Sequence, residues 1–172
     1  VEPFLPASGR IFSISNPINY PFDKPVKASV DTGGLLYVGR LSPEKGPGLA
    51  CEAAVRNGLP LTVIGDGELR PVLEQRFPQV EFKGWLEPKE VFNEMLQSRA
   101  LIFPSLLYET QGLSILEALA VGLPVIVSKE CAGSELVGPG CGLLFNNGDV
   151  SDLAANMNKI YNNRELREQM SR

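Results

Sequence analysis

Short, largely apolar runs at regular intervals constrain this chain more than any other feature. They fall at residues 35–38, 61–64, 80–82, 100–103, 125–127 and 142–145. Stretches of helical character separate them at 47–57, 68–77 and 89–97, then a helix opened by Gly112, then 149–161, with a charged stretch from Arg164 onward. A strand with one wet face alternates apolar and polar residues, whereas a strand covered on both faces reads as continuous Val, Ile and Leu. The strand–helix unit recurs about five times at intervals of roughly 20–25 residues, as parallel strands joined by crossover helices require. The pattern predicts an α/β domain: a doubly wound, Rossmann-like parallel sheet with helices on both faces. The ligand of such a domain lies beyond the carboxyl ends of the strands, where the connecting loops collect.

With 172 residues, of which 44% are hydrophobic, the chain can bury one substantial core. The rhythm occupies 35–172. Residues 1–34 are irregular and rich in Pro and Gly apart from a short strand-like run at 11–15, and read as a linker or lead-in segment. The net charge of -4 is mixed along the chain, and no basic stripe marks a nucleic-acid partner. Histidine is absent, which removes histidine acid–base catalysis and histidine-containing zinc sites from this chain. Cys51, Cys131 and Cys141 are odd in number and widely spaced, which suits neither a disulfide framework nor a four-thiolate metal site. There is no signal-peptide pattern and no apolar run near the length of a membrane span. The chain begins at Val1 and ends inside a charged helical pattern, as expected of a fragment.

Five glycine-containing loops follow strand ends. The first, Gly39 to Gly46, carries Arg40 and Lys45 close to a helix start. Guanidinium, ammonium and exposed amides together suit phosphate oxygens, and a solvated surface turn is the other reading. The second, Gly65-Asp66-Gly67-Glu68, is a common turn; it is neither the dinucleotide fingerprint nor a nucleotide-triphosphatase phosphate loop. The third, Lys83-Gly84-Trp85-Leu86, offers either one wall of a planar base pocket or a tryptophan closing the core rim. The fourth runs from Tyr108 to Gly122 and holds Glu109 in a loop and Glu117 on the following helix, around Gly112. The amides of Gly112 and Leu113 at that helix start suit an anion, and the two carboxylates suit hydroxyl groups on either side. The alternative is a solvated Glu109 and an ordinary exposed helical Glu117. The fifth, Cys131 to Glu135, suggests another close approach of backbone to ligand at Gly133 and Ser134.

Taken together, these residues resemble the C-terminal, donor-binding domain of the family 4 retaining glycosyltransferases, which have the two-domain GT-B architecture. The resemblance runs from about Asn16 to the C-terminus. It rests on Asn16-Pro17-Ile18-Asn19, on Val38 to Leu41 with Glu44-Lys45-Gly46, and on Val63 to Gly67. It rests equally on Pro104-Ser105, on Glu109 and Glu117 with seven residues between them, on Gly122 to Ile126, and on Gly142-Leu143-Leu144 with Asp149. Pro17 stands where the family usually has glycine, and Thr110-Gln111 where relatives carry glycine or proline and then an aromatic.

The resemblance implies a role for each matched residue. Arg40 and Lys45 neutralise the donor diphosphate and, with Glu109, form the catalytic set, Glu109 contacting the transferred sugar. Gly112 and Leu113 hold phosphate through their amides, Glu117 binds the ribose, and Gly39, Gly84 and Trp85 border the nucleotide. It further implies a nucleotide-diphosphate sugar as donor substrate, no cofactor and no strictly required metal. The acceptor is a glycan, polysaccharide or lipid-linked molecule, and transfer keeps the donor's anomeric configuration. The setting is cytoplasmic or at the inner face of the membrane, through peripheral association of the full-length protein. An N-terminal acceptor-binding domain completes the cleft, so this chain alone is expected to be inactive. Two further readings remain open: a nucleotide-sugar 2-epimerase-like enzyme, and a non-catalytic nucleotide-sugar-binding module.

Overall fold

The computed structural model describes residues 17–29, 31–106, 112–138 and 140–171. Six parallel strands form one sheet: β1 (Leu35–Val38), β2 (Leu61–Ile64), β3 (Glu81–Gly84), β4 (Ala100–Phe103), β5 (Val125–Ser128) and β6 (Gly142–Phe145). Their spatial order is β3-β2-β1-β4-β5-β6. The helices are α1 (Pro47–Arg56), α2 (Arg70–Arg76), α3 (Pro88–Leu96), α4 (Leu113–Ala120), α5 (Val150–Asn162) and α6 (Arg164–Met170).

The strand period of two divides the apolar runs between two cores. Leu35, Tyr37, Val63, Ile102 and Ile126 face one side, where Ala50, Ala54, Leu153, Met157 and Ile160 of α1 and α5 cover them. Leu36, Ile64, Leu101, Phe103, Val125 and Val127 face the other, against Phe92 and Met95 of α3 and Ile115 and Ala118 of α4. Both faces are covered, which is why the runs are continuous rather than alternating.

Part of the lead-in segment joins the second core. Tyr20, Phe22 and Phe92 meet edge to face, with ring centroids 5.4–6.0 Å apart. The Ala28 amide donates to the Val121 carbonyl at 2.7 Å, and the Ser29 amide to the Leu96 carbonyl at 2.8 Å.

Two of the departures from the sequence expectation have a clear physical cause. The third strand spans Glu81–Gly84 rather than 80–82. Val80 is apolar because it plugs the core from a turn, its amide donating to the Phe77 carbonyl at 3.0 Å. Helix α2 begins at Arg70 rather than at 68, because the Arg70 amide closes a turn on the Gly67 carbonyl at 3.1 Å. The strand-like run at 11–15 lies outside the described residues. Among the described residues no helix is long and apolar enough to cross a membrane.

Phe92 is 1% exposed and joins α3 to the lead-in segment. Phe92→Ala should lower the unfolding free energy by about 3–5 kcal/mol in urea titration. Val72→Ala, at a position 60% exposed, should stay within about 0.5 kcal/mol of the parent.

Candidate functional site

The strand order reverses between β1 and β4, which pair directly through Leu35↔Ala100 and Tyr37↔Ile102. The helix after β1 packs on one face and the helix after β4 on the other. The loops after these two strands therefore diverge and leave a crevice at their carboxyl ends. Arg40 and Lys45 lie on the first loop, and Gly112, Leu113 and Glu117 belong to the second and its helix.

The first loop is held by its own backbone. The Gly39 amide donates to the Ile64 carbonyl at 3.0 Å, the Leu41 amide to the Asp66 carbonyl at 2.9 Å, and the Tyr37 hydroxyl to the Arg40 carbonyl at 2.9 Å. A 3-10 turn over Pro43–Lys45 follows. The Ser42 hydroxyl donates to Glu44 Oε1 at 2.5 Å. That bond, then a backbone amide, and to a smaller degree the Lys45 and Arg40 charges hold the Glu44 carboxyl below its ordinary pKa. The turn is docked on the β4 loop: the Glu44 carbonyl accepts from the Leu106 amide at 2.8 Å and from the Ser105 hydroxyl at 3.3 Å. Lys45 is thereby fixed beside the strand end that leads toward Gly112.

The two helices flanking the crevice start alike. The N-cap of α1 is Gly46, with φ 64°, and that of α4 is Gly112, with φ 63°; neither helix has a side-chain cap. Left-handed backbone at both positions favours glycine. At Gly112 a Cβ would also lie 3.0 Å from both Phe103 Cζ and Ile115 Cδ1. The first hydrogen bond of α4 runs from the Ile115 amide to the Gly112 carbonyl at 2.9 Å, so the amides of Leu113 and Ser114 precede the helical ladder. By contrast α5 and α6 are capped by Asp149 and Asn163.

Glu117 sits one turn into α4, half-buried, and makes no hydrogen bond or ion pair with the described residues. Burial pushes its carboxyl pKa up. Glu109 lies outside the described residues.

A cleft of about 320 Å³ opens beyond β1, β2 and β3. Val38, Ile64, Leu86 and Val91 give it apolar walls, and Gly39, Arg40, Gly65, Asp66 and Trp85 complete its lining. Trp85 is 67% exposed there. The structure thus brings Gly39, Arg40 and Trp85 together. Gly84, the last residue of β3, instead lies over Arg70: a Cβ there would sit 2.7 Å from Arg70 Nη1.

Sequence reasoning missed Asp66 and Arg70 as a unit. Arg70 pairs with Asp66 at 3.1 Å and with Glu74 at 2.8 Å. The Gly67 amide, then Arg70, holds the Asp66 carboxyl below its ordinary pKa. The four-residue spacing of Asp66, Arg70 and Glu74 along a helix start was the available signal. Gly65, read as part of a common turn, and Gly133, read as a close approach to ligand, both serve packing. A side chain at Gly65 would overlap the Gly39 carbonyl, and one at Gly133 would overlap Ile115 of α4. Among the described residues no three His, Cys, Asp or Glu side chains group as metal ligands do.

Comparison with known proteins places this geometry. The family described as "Glycosyl transferases group 1" matches residues 22–172. The sulfoquinovosyl transferase SQD2 of Arabidopsis thaliana is 33% identical over 144 residues, covering 78% of this chain and 28% of that protein. A GDP-mannose-dependent alpha-(1-6)-phosphatidylinositol dimannoside mannosyltransferase of Mycobacterium tuberculosis is 31% identical over 112 residues, covering 60% of this chain and 29% of that protein. The chain therefore spans less than a third of either relative. Among solved structures, a mutant of S. aureus TarM in complex with Fondaparinux, alpha-GlcNAc-glycerol and UDP superposes with a TM-score of 0.78 at 21% identity. The match covers 96% of this chain and 35% of that one.

The state of Glu117 has a pH signature. Its folded pKa is raised, so the fold disfavours the ionised form. Its contribution is most favourable below the ordinary carboxylate pKa and is lost as pH rises through the raised value. Glu117→Gln should raise the thermal midpoint of the ligand-free chain near pH 7, with the gain vanishing at about pH 3. Equal midpoints at both pH values would show that burial places no penalty on this carboxylate.

Proposed function

The chain belongs to the group 1 glycosyl transferases, and from that membership we propose that it is the donor-binding half of a retaining glycosyltransferase of GT-B architecture. Its donor is a nucleotide-diphosphate sugar, and its acceptor a glycan, polysaccharide or lipid-linked molecule held by a second domain. The observation that carries the reading is the pairing of β1 with β4, which sets a cationic loop and an uncapped helix start on the two sides of one crevice. The UDP complex of TarM supports a nucleotide diphosphate as the ligand of this fold.

In this reading Arg40 and Lys45 flank the diphosphate and offset the charge that grows on the leaving group. The amides of Leu113 and Ser114, with Gly112 leaving room for close approach, take phosphate oxygens along the favourable end of the α4 dipole. Glu117 accepts from the ribose hydroxyls, which supply the hydrogen bonds its half-buried carboxylate lacks. The apolar cleft walls take the planar base, with Gly39 beside it and Trp85 at its rim. Glu109 contacts the transferred sugar. The cations supply the charge compensation, so no divalent metal is strictly required. Transfer with retention follows from leaving-group departure on the face that the acceptor then enters.

Calorimetric titration with UDP, GDP and ADP tests the reading and identifies the base. One of the three should bind saturably, and Arg40→Ala/Lys45→Ala should weaken it by at least about tenfold, as expected for lost charge-assisted hydrogen bonds. Negligible binding by all three, or binding indifferent to the double substitution, would contradict it.

A further inference from the structure

Asn147 lies in the turn between β6 and α5, away from every loop assigned to the donor, yet it touches residues after one strand and at the end of another. Its Nδ2 donates to the Leu106 carbonyl beyond β4 at 3.3 Å and to Glu130 Oε2 beyond β5 at 3.1 Å. Its Oδ1 accepts from the Ser128 hydroxyl, at the end of β5, at 3.2 Å. A carbonyl and a carboxylate both demand a donor, so chemistry fixes this orientation of the amide. Ser128 is fully buried.

The turn that carries Asn147 is anchored to rigid elements. The Asn146 amide donates to Asp152 Oδ2 of α5 at 2.7 Å, and Lys129 Nζ donates to Asn146 Oδ1 at 2.7 Å. Asp149 caps α5 by accepting from the Ser151 and Asp152 amides. The other end of the contact is a loop. Leu106 accepts from Asn147 through its carbonyl and donates through its amide to the Glu44 carbonyl at 2.8 Å. Glu44 immediately precedes Lys45 in the 3-10 turn. One residue, Leu106, therefore connects the β5 and β6 scaffold to the turn bearing a diphosphate cation.

We propose that Asn147 is a positioning residue of the donor site. By holding Leu106, and through it the Glu44 carbonyl, it fixes where the Lys45 turn stands relative to the β4 end. This rests on the donor reading given above. Hydrogen bonds to phosphate weaken steeply with misalignment, so a small displacement of the turn is felt in affinity.

The test is a double-mutant cycle in nucleoside diphosphate binding, read by calorimetry with UDP, GDP and ADP as the probes. Asn147→Ala should weaken binding of whichever probe binds by about three- to thirtyfold. Asn147→Asp has the same shape but puts an acceptor against the Leu106 carbonyl and a charge against Glu130, and should weaken binding comparably. In a Lys45→Ala background either substitution should have no further effect, because the group it positions is gone. In the ligand-free chain, hydrogen exchange of the Leu106 amide should quicken in both Asn147 variants.

Binding within twofold of the parent, an equal loss with and without Lys45, or unchanged exchange at Leu106 would each overturn the proposal. If the parent chain binds none of the three probes, the donor reading fails and the proposal falls with it. Binding by the parent with no coupling between Asn147 and Lys45 defeats the positioning role alone.

Discussion

Everything at the candidate site depends on the hydrogen-bonded pairing of β1 with β4. Where the strand order reverses, the two adjacent strands send their following helices to opposite faces, and the crevice between those helices is a consequence of topology. The same pairing brings the loop after β1 within reach of the loop after β4. The Glu44 carbonyl then accepts from Leu106 and Ser105 and fixes the cationic turn there. A chain with the same loops on strands β2 and β6 would hold the same residues far apart.

Stability is spent at this edge of the sheet. Helices α1 and α4 start at glycine without a side-chain cap, whereas α5 and α6, away from the crevice, are capped. Glu117 is half-buried without a partner among the described residues, and Trp85 and Leu113 expose 67% and 48% of their surfaces. Each departs from what local stability favours, and all lie on or beside the loops that follow strand ends. Unsatisfied donors, a desolvated acceptor and an uncovered ring are the complements of phosphate, sugar hydroxyl and base. The core beneath, with Ile102, Ile126 and Leu101 at 0% exposure, shows no such departure.

The sheet was legible because burial on both faces writes itself as continuous apolar runs, and four strands begin and end where those runs do. Where apolarity had another cause the reading slipped, as at Val80, which fills the core from a turn. Arg40, Lys45, Gly112 and Glu117 were legible as candidates because cations, glycine and carboxylate stand out beside strand ends. Their mutual placement was not, since strand order cannot be read from spacing. The placement of Arg70 beneath Gly84, the packing of Gly65 on Gly39 and the three contacts of Asn147 join segments by tertiary contact. No local pattern announces them.

The central claim is that a nucleotide diphosphate occupies the crevice between the β1 and β4 loops. Mapping amide chemical shifts of the isotopically labelled chain during titration with the nucleoside diphosphate it prefers tests this most directly. The account predicts the largest shifts at Gly39, Arg40, Trp85, Leu113 and Ser114, with Lys27, Gly122 and Gly140 at the opposite edge unmoved. Shifts concentrated at that opposite edge, or none at Leu113 and Ser114 on saturation, would contradict it.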